Sequence, residues 1–358
     1  MINAELMKKI NIDGKFIGKD CPFYIIAEAG ANHDGQLEKA FQLIDAALES
    51  GVDAIKFQNY TASKLTTKTA QKYWDDGNKK ESQYDVFDKL DKLSNDDWKK
   101  IFDYAKQKGI TCFSTPFDLD SVELLESFNV PAYKIASADI THIPLIKKIA
   151  SKKKPIFMST GMASLSEIHD AISTIKNEGN NEIILMHCIT SYPTKPEDAN
   201  LEMIKKLIQE FPECVVGYSD HTLGTEIASL SVFYGSTCIE KHFTFDKNLK
   251  VSRDHRLSLT PDDFKELKKK INLIEISRGS EIEDHIQVES EAVKYARRSI
   301  VSKSSISKGT EIKENMIDVK RPGTGILPKY FSKIIGAKAL KDIPEDSIIQ
   351  WDDIDCNQ

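Results

Sequence analysis

From residue 23 to about residue 280 the chain alternates between two kinds of segment, and this alternation constrains its fold more than any other feature. Short apolar runs rich in Ile, Val and Phe read as buried strands at 23–30, 54–58, 110–115, 132–137, 155–160, 182–188, 215–220 and 238–243. The longer segments between them carry apolar residues at helical spacing. Several end in a glycine (Gly51, Gly109, Gly179), as the left-handed residue after a helix prefers. Eight strand–helix units over roughly 250 residues is the count of an α/β fold of the (β/α)8 TIM-barrel type. The competing architecture, a doubly wound open sheet, places a GxGxxG-like phosphate turn after its first strand. Here that turn reads AEAGANHDG, so the barrel is expected.

Two pieces fall outside the barrel. Residues 8–20 alternate about Asp13-Gly14 and predict a hairpin placed to cover the barrel's bottom. At the other end the expected boundaries are 1–280 for the barrel, 281–296 for a charged linker and 297–358 for a small β-rich domain. This last segment holds a loose internal echo, ISKGTEIKENMIDVKRP and IPEDSIIQWDDID. Its size, about 60 residues, is near the lower limit for independent stability, so packing on a partner surface is expected. The 61–93 loop, with Trp74 and the run DDGNKKES, follows the second strand and is placed to act as a lid.

Composition excludes whole classes of function. The 358 residues carry 49 Lys+Arg against 55 Asp+Glu, and a net charge of -6 argues against broad binding to nucleic acid or to an anionic membrane surface. No apolar run approaches the roughly eighteen residues of a membrane helix, and the N-terminus lacks the apolar core of a secretory signal. The six cysteines form no CxxC pair and at least three sit in apolar runs, which reads as free thiols in a reducing cytoplasm.

Barrels of this kind place their chemistry at the C-terminal strand ends. The polar residues there are Glu28, with Asn32 and His33 beyond it; Lys56 and Gln58; Ser114 and Thr115; Lys134, Ser137 and Asp139; Ser159 and Thr160; His187, Thr190 and Tyr192; Ser219, Asp220 and His221; and Lys241 and His242. A lone histidine such as His33 or His142 reads as structural. His221 and His242 differ because they occupy equivalent ends of adjacent strands, about 4.8 Å apart. Two imidazoles there are placed to share a divalent Lewis acid, although spacing alone leaves a purely structural pair equally open. Lys56 and Lys134 sit in apolar strands and need a partner or a polar cavity. Three readings stand: an anion pocket built with Ser114, Ser137, Ser159 and Ser219; ion pairs to Glu28 and Asp220; or a Schiff-base lysine of an aldolase-type barrel. Glu28 suits a general base or a carboxylate that orients substrate hydroxyls. Asp254-His255, in the loop after the eighth strand, is a weak signal on its own.

Read together, IAEAGANHDG, DAIKFQ, FSTPFD, YKIAS, STGM, HC..SYPT, GYSDHT and IEKHFT occur in an order that resembles the sialic acid synthase family over nearly the whole chain. That family includes N-acetylneuraminate, legionaminate and pseudaminate synthases and spore-coat synthase-like proteins. Residues 297–358, with VKRPGTGI, resemble the antifreeze-like (SAF) domain that ends these enzymes. The resemblance implies a transferase that uses a divalent metal, Mn2+ or Mg2+. Its reaction condenses phosphoenolpyruvate with an open-chain N-acyl amino sugar, giving a nonulosonic acid and phosphate for surface glycans. It further implies that His221 and His242 ligate the metal, and that Lys56, Thr115, Lys134, Ser137, Ser159 and Ser219 line the phosphoenolpyruvate pocket. Glu28 is implied near the reacting centre, and Gln58, Thr190, Tyr192 and Asp254 around the sugar. Arg321 is implied to reach in from the SAF domain of a partner subunit, in a domain-swapped homodimer.

Three positions depart from the family pattern. Asp139 stands where members carry a catalytic Glu, one methylene longer, and a displaced carboxylate is kinetically costly. Thr190 stands where neuraminate-forming members commonly have Asn, and residues 251–255 read VSRDH in place of a glycine-proline-Asp pattern. The last two lie on the sugar side. They imply an acceptor other than simple N-acetylmannosamine, such as a 2,4-diacetamido-6-deoxy relative. Two competing functions are a Schiff-base aldolase or pyruvate-lyase barrel, and a sugar-binding homologue without synthase activity, which only Asp139 favours.

Overall fold

Asp13 and Gly14 both take positive φ (51° and 87°), as a two-residue hairpin turn requires, and fold strand β1 (Ile10–Ile12) back onto β2 (Lys15–Ile17). The computed structural model describes residues 8–74, 80–279 and 287–356. They divide into two units, Met1–Arg278 and Gly279–Gln358. In the first unit eight parallel strands follow in chain order: β3 (Tyr24–Gly30), β4 (Ala54–Asn59), β5 (Thr111–Pro116), β6 (Tyr133–Ile135), β7 (Ile156–Ser159), β8 (Ile183–Cys188), β9 (Val215–Asp220) and β10 (Cys238–His242). Strand β10 closes on β3, with His242 opposite Glu28, so the expected (β/α)8 barrel is the fold.

Every residue of the eight barrel strands is buried except the half-buried Gln58, and the alternation of the pleat sorts them into two environments. Ile25, Ala27, Ala29, Ile55 and Phe57 face outward and join the large core under the helices. Tyr24, Ile26, Ala54, Phe113, Phe157, Ile184, Met186, Val215 and Cys238 face inward and form a second core with Ile10, Ile12 and Ile17 of the hairpin. The hairpin therefore plugs the N-terminal end of the barrel, and the polar residues of each strand are left for the opposite end.

The helices are bounded by ordinary chemistry. Ser94 and Ser164 cap their helices in reciprocal boxes with Asp97 and Glu167, and Gly51 and Gly109 end theirs in left-handed backbone. The segment after β4 carries two short helices, Ala62–Leu65 and Gln83–Leu90. Residues 75–79, the first part of the charged run in the expected lid, lie outside the described residues.

In the second unit β11 (Ser299–Ser302) pairs with β12 (Ile317–Lys320), and β13 (Lys338–Ala339) with β14 (Ile354–Asp355), around an isoleucine-rich core. The two echoing sequences fold alike. Ile306 and Ile343 bridge each other, and each copy then runs through a 3-10 turn (Glu314–Met316, Trp351–Asp353) into β12 or β14. Of the stretch expected as a linker, the part up to residue 286 lies outside the described residues; the remainder holds helix Ser290–Ala296 and falls in this second unit. Among the described residues no helix is long and apolar enough to cross a membrane.

Candidate active site

The inward-facing parity that packs the barrel's base continues upward into polar side chains: Glu28, Lys56 and Gln58, Thr115, Lys134, Ser159, Cys188, Ser219, Glu240 and His242. They open into a cavity of about 500 Å³ at the C-terminal end of the strands. Fourteen of the fifteen site residues expected from sequence line it, with Ser137 and Asp139 entering from a 3-10 turn after β6, Thr190 and Tyr192 from the loop after β8, and Asp254 from the loop after β10. The fifteenth, Arg321, is exposed just after β12 in the second unit.

At the cavity floor a buried charge cluster spans the barrel. Lys134 on β6 lies diametrically across from Glu240 on β10, and its ammonium donates to both carboxylate oxygens at 2.8 and 2.7 Å. Lys56 lies 2.5 Å from Glu28 and 3.8 Å from Glu240, and donates to Thr115 Oγ1 at 2.9 Å. Ser219 donates to Glu240 at 3.2 Å, and Gln58 to Glu28 at 2.9 Å. The two carboxylates are driven apart. Burial raises Glu28 to about 7 against the pull of Lys56, with the charge of Glu240 adding to the rise. Glu240 is buried too, but Lys134 and Lys56 outweigh the burial and hold it down to about 2. One is a fixed anion; the other exchanges a proton near neutral pH.

The other wall carries the two histidines, ring centroids 5.5 Å apart. Burial lowers His242 to about 4, so its imidazole is neutral, and its buried Nδ1 has no hydrogen-bond partner. Asp254 Oδ2 stands 3.9 Å from that nitrogen. His221 Nδ1 faces the Ile189 carbonyl at 2.8 Å, which leaves Nε2 as its free nitrogen. Despite burial, Cys188, with Sγ 3.8 Å from His221 Nδ1, pulls the imidazole's pKa upward. A neutral, unpartnered nitrogen beside a second imidazole whose other nitrogen is fixed by a carbonyl is a donor set that fits a divalent metal with open positions. Among the described residues no group of three or more His, Cys, Asp and Glu side chains forms a fuller cage.

Asp139 faces the same space. Burial raises it to about 6 against the pull of His142, and its Oδ2 has no partner. Of the buried side-chain polar atoms without a hydrogen-bond partner among the described residues, seven belong to this cavity; Glu28 Oε2 is ion-paired with Lys56, and the other six are on Asp139, Ser159, Thr190, His242, Arg253 and Asp254. Unsatisfied polar atoms are costly to bury, so their concentration marks a place prepared for polar ligands.

Some expectations need correction. Lys134 pairs with Glu240, not with Asp220; it is Lys241 that pairs with Asp220, at 2.6 Å, and both belong to the outward parity. Ser114 also faces outward, donating to Asn59 at 2.6 Å, and takes no part in the anion pocket. His187 faces outward as well, bonded to the Ala199 carbonyl and stacked on Tyr218. His33 and His142 are structural as expected: His33 is edge-on to Trp98, and His142 Nδ1 caps helix Ile143–Ala150. His255 proves to be a buttress, bonded to Asp34 at 3.1 Å and Thr244 at 2.8 Å. Glu240, Cys188 and Arg253 were missed. The first two share the inward parity of His242 and Met186, a signal that was present.

A model of the NeuB family matches residues 43–283, and one of the SAF domain matches residues 297–355. The chain belongs to the NeuB family. It is 40% identical to the spore coat polysaccharide biosynthesis protein SpsE of Bacillus subtilis, over 97% of this chain and 98% of that one. The crystal structure of that protein superposes with a TM-score of 0.64, covering 97% of this chain and 99% of the other. The N,N'-diacetyllegionaminic acid synthase of Legionella pneumophila is 38% identical, with 94% of this NeuB-family chain and 96% of the relative covered. An N-acetylneuraminic acid synthetase of Leptospira borgpetersenii, solved with citrate, matches with a TM-score of 0.71 at 33% identity, over 80% of this chain and 95% of that one.

Proposed function

We propose that this chain is a nonulosonic acid synthase: a cytoplasmic transferase that condenses phosphoenolpyruvate with an N-acyl mannosamine-type aldehyde and releases phosphate. One observation carries the reading. A single cavity presents two buried lysines among hydroxyls, an array for a phosphate and a carboxylate, next to two imidazoles and two carboxyl groups that titrate near neutrality. The names of the relatives from Legionella and Leptospira, both synthases of acidic nine-carbon sugars, support it.

In this reading Lys56, Lys134, Thr115, Ser137, Ser159 and Ser219 hold phosphoenolpyruvate, and Gln58, Thr190, Tyr192 and Asp254 orient the sugar. His221 and His242 are the residues that would hold the divalent ion, Mn2+ or Mg2+, which when bound supplies Lewis-acid polarisation of the aldehyde. C3 of phosphoenolpyruvate bonds to the aldehyde carbon and the carbonyl oxygen takes a proton. Water then adds at C2, and the C2–O bond to phosphate breaks to leave the 2-keto acid. Glu28 and Asp139 carry protons in these steps, their pKa values placed by burial where both forms are populated. Arg321 acts on the sugar across a domain-swapped dimer.

The Schiff-base alternative needs a lysine with a free amine. Both candidates are clasped by carboxylates, Lys56 by Glu28 and Lys134 by Glu240, so neither nitrogen stands free for an incoming carbonyl. The deciding experiment is phosphate release from phosphoenolpyruvate, with and without acceptor sugars and with and without chelator. Release that requires both acceptor and metal supports the synthase. Borohydride trapping of a lysine adduct with pyruvate would refute it.

A further inference from the structure

Lys241 and Asp220 form a buried charge pair that the proposed chemistry does not use. Each is 1% exposed, both face outward from the barrel wall, and neither lines the cavity. Each immediately precedes a site histidine in the chain, Asp220 before His221 and Lys241 before His242. The register between β9 and β10 ends at this pair: Ile239 stands opposite Tyr218, Glu240 opposite Ser219 and Lys241 opposite Asp220, and the pairing stops there. The two imidazoles therefore sit one step beyond the point where backbone pairing between their strands fixes their separation.

Side-chain bonds take over at that point. The Lys241 ammonium donates to Asp220 Oδ2 and to the Thr222 carbonyl, both at 2.6 Å. Asp220 Oδ1 accepts from Thr222 N at 2.8 Å and from the Tyr218 hydroxyl at 3.0 Å, and Oδ2 accepts from Thr222 Oγ1 at 3.0 Å. The peptide joining His221 to Thr222 is bonded at both ends, since its carbonyl accepts from Thr194 N at 2.9 Å. One ammonium thus ties the residue before His242 to the residue after His221. A buried ion pair is a weak means of gaining stability, because apolar side chains of similar volume often do as well, but its charge-assisted bonds are directional and fix geometry. Two imidazoles with centroids 5.5 Å apart have a use for such fixity, because groups behind the ligands of a metal set their orientation and so its affinity.

Resting on the metal-dependent synthase reading above, we infer that Lys241 and Asp220 are positioning residues. Acting from outside the barrel wall through the turn at Thr222, they set the separation of His221 and His242 and with it the affinity for the divalent ion. The test is Mn2+ binding to the full-length protein without substrates, followed by the paramagnetic resonance signal of the free ion, beside calorimetric binding of phosphoenolpyruvate without metal. Wild type should bind a single Mn2+, and His242→Ala should abolish that binding. The double variant Lys241→Met/Asp220→Asn leaves no buried charge unpaired and keeps an acceptor for Thr222 N, so it should fold with a Tm near that of wild type. Its Kd for Mn2+ should rise about tenfold or more, with the Kd for phosphoenolpyruvate held within about twofold. Asp220→Glu keeps both charges but lengthens one arm by a methylene; it should raise the Mn2+ Kd severalfold, and it decides the question if the double variant does not fold. An Mn2+ Kd within about twofold of wild type in the folded variant, or equal weakening of Mn2+ and phosphoenolpyruvate, would overturn this inference and leave the synthase reading standing. Wild type that binds no Mn2+, or binding untouched by His242→Ala, would overturn both the inference and the metal site of that reading.

Discussion

Glu240→Gln is the substitution that tests the charge cluster most directly. Glu240 is 5% exposed and Lys134 2%, and both carboxylate oxygens lie within 2.8 Å of the ammonium. Glutamine keeps the size of the side chain and one acceptor but removes the charge. It leaves Lys134, and Lys56 at 3.8 Å, without their shared counter-ion. Breaking a buried ion pair by removing one partner costs about 3–5 kcal/mol, because the surviving charge stays desolvated. At an unfolding entropy of about 2.1 cal/mol/K per residue, a 278-residue unit loses roughly 5–9 °C of Tm for that cost.

The assay is thermal unfolding at pH 7.5. Saturating phosphoenolpyruvate should raise the Tm of the variant more than that of the wild type, since its anionic groups restore the missing negative charge. The double variant Lys134→Met/Glu240→Leu, which removes both ends of the cross-barrel bridge, should melt closer to wild type than Glu240→Gln does. A Glu240→Gln shift under about 2 °C would refute the reasoning, because a shift that small corresponds to only about 1 kcal/mol and means the lysines are solvated through the cavity.

Asp139→Asn tests the buried carboxyl. Its folded pKa of about 6 lies above the unfolded value, so ionisation destabilises the fold as pH rises through that interval, and the variant should be about 1–3 kcal/mol more stable at pH 7.5 with the gain gone by pH 3.5. Asp34 behaves with the opposite sign: its carboxylate accepts from Ser252 N at 2.9 Å and from Lys39 at 2.7 Å, and these contacts with His255 hold it down to about 2 despite burial. The stability it contributes is present above about pH 4 and lost as pH falls toward 2, and Asp34→Ala should loosen the turn bearing Arg253 and Asp254, seen as a raised acceptor KM at unchanged phosphoenolpyruvate KM. Gly161→Ala would drive a methyl against Thr190 Oγ1 and to 2.8 Å from Ser137 Oγ, so turnover should fall at least tenfold by direct assay with Tm changed by only a few degrees. Ile12→Ala in the fully buried base of the barrel should do the reverse, costing about 2–5 kcal/mol in denaturant titration with kcat little changed.

The barrel was legible because its signals are local. Strand runs, helical periodicity and the terminal glycines each report on a few neighbouring residues, and eight repeats of the same unit leave few topologies open. The hairpin showed itself through Asp13-Gly14. The second unit showed through its echo, since each copy runs through a three-residue 3-10 turn into a strand that opens with Ile-Asp. Charge and helical compatibility do not say which core a segment packs on; Gly323 N, bonded to the Lys294 carbonyl at 2.8 Å, ties the end of the expected linker stretch to the second unit.

The site was legible in membership and only half legible in pairing, with Lys56 on Glu28 as one reading had it and Lys134 on a partner not foreseen, and the pleat explains both. A polar residue near a strand end reads as a candidate from sequence alone, but whether it faces the cavity depends on one step of register. Counting twos from Tyr24 and Ile26 leads to Glu28; from Phe113 it leads to Thr115 and past Ser114; from Cys238 it leads to Glu240 and His242 and past Lys241. That count would have removed Ser114, His187 and Asp220 and added Glu240 and Cys188. Pairing requires more than parity. Asp220 and Lys241 lie on adjacent strands at matched register and find each other locally, whereas Lys134 and Glu240 stand on strands four apart in either direction around the ring. They meet only because the sheet closes and its interior is narrow enough for two long side chains to bridge. The residue most informative about the charge of the site is therefore specified by barrel closure, a property of all eight strands together and of no single motif.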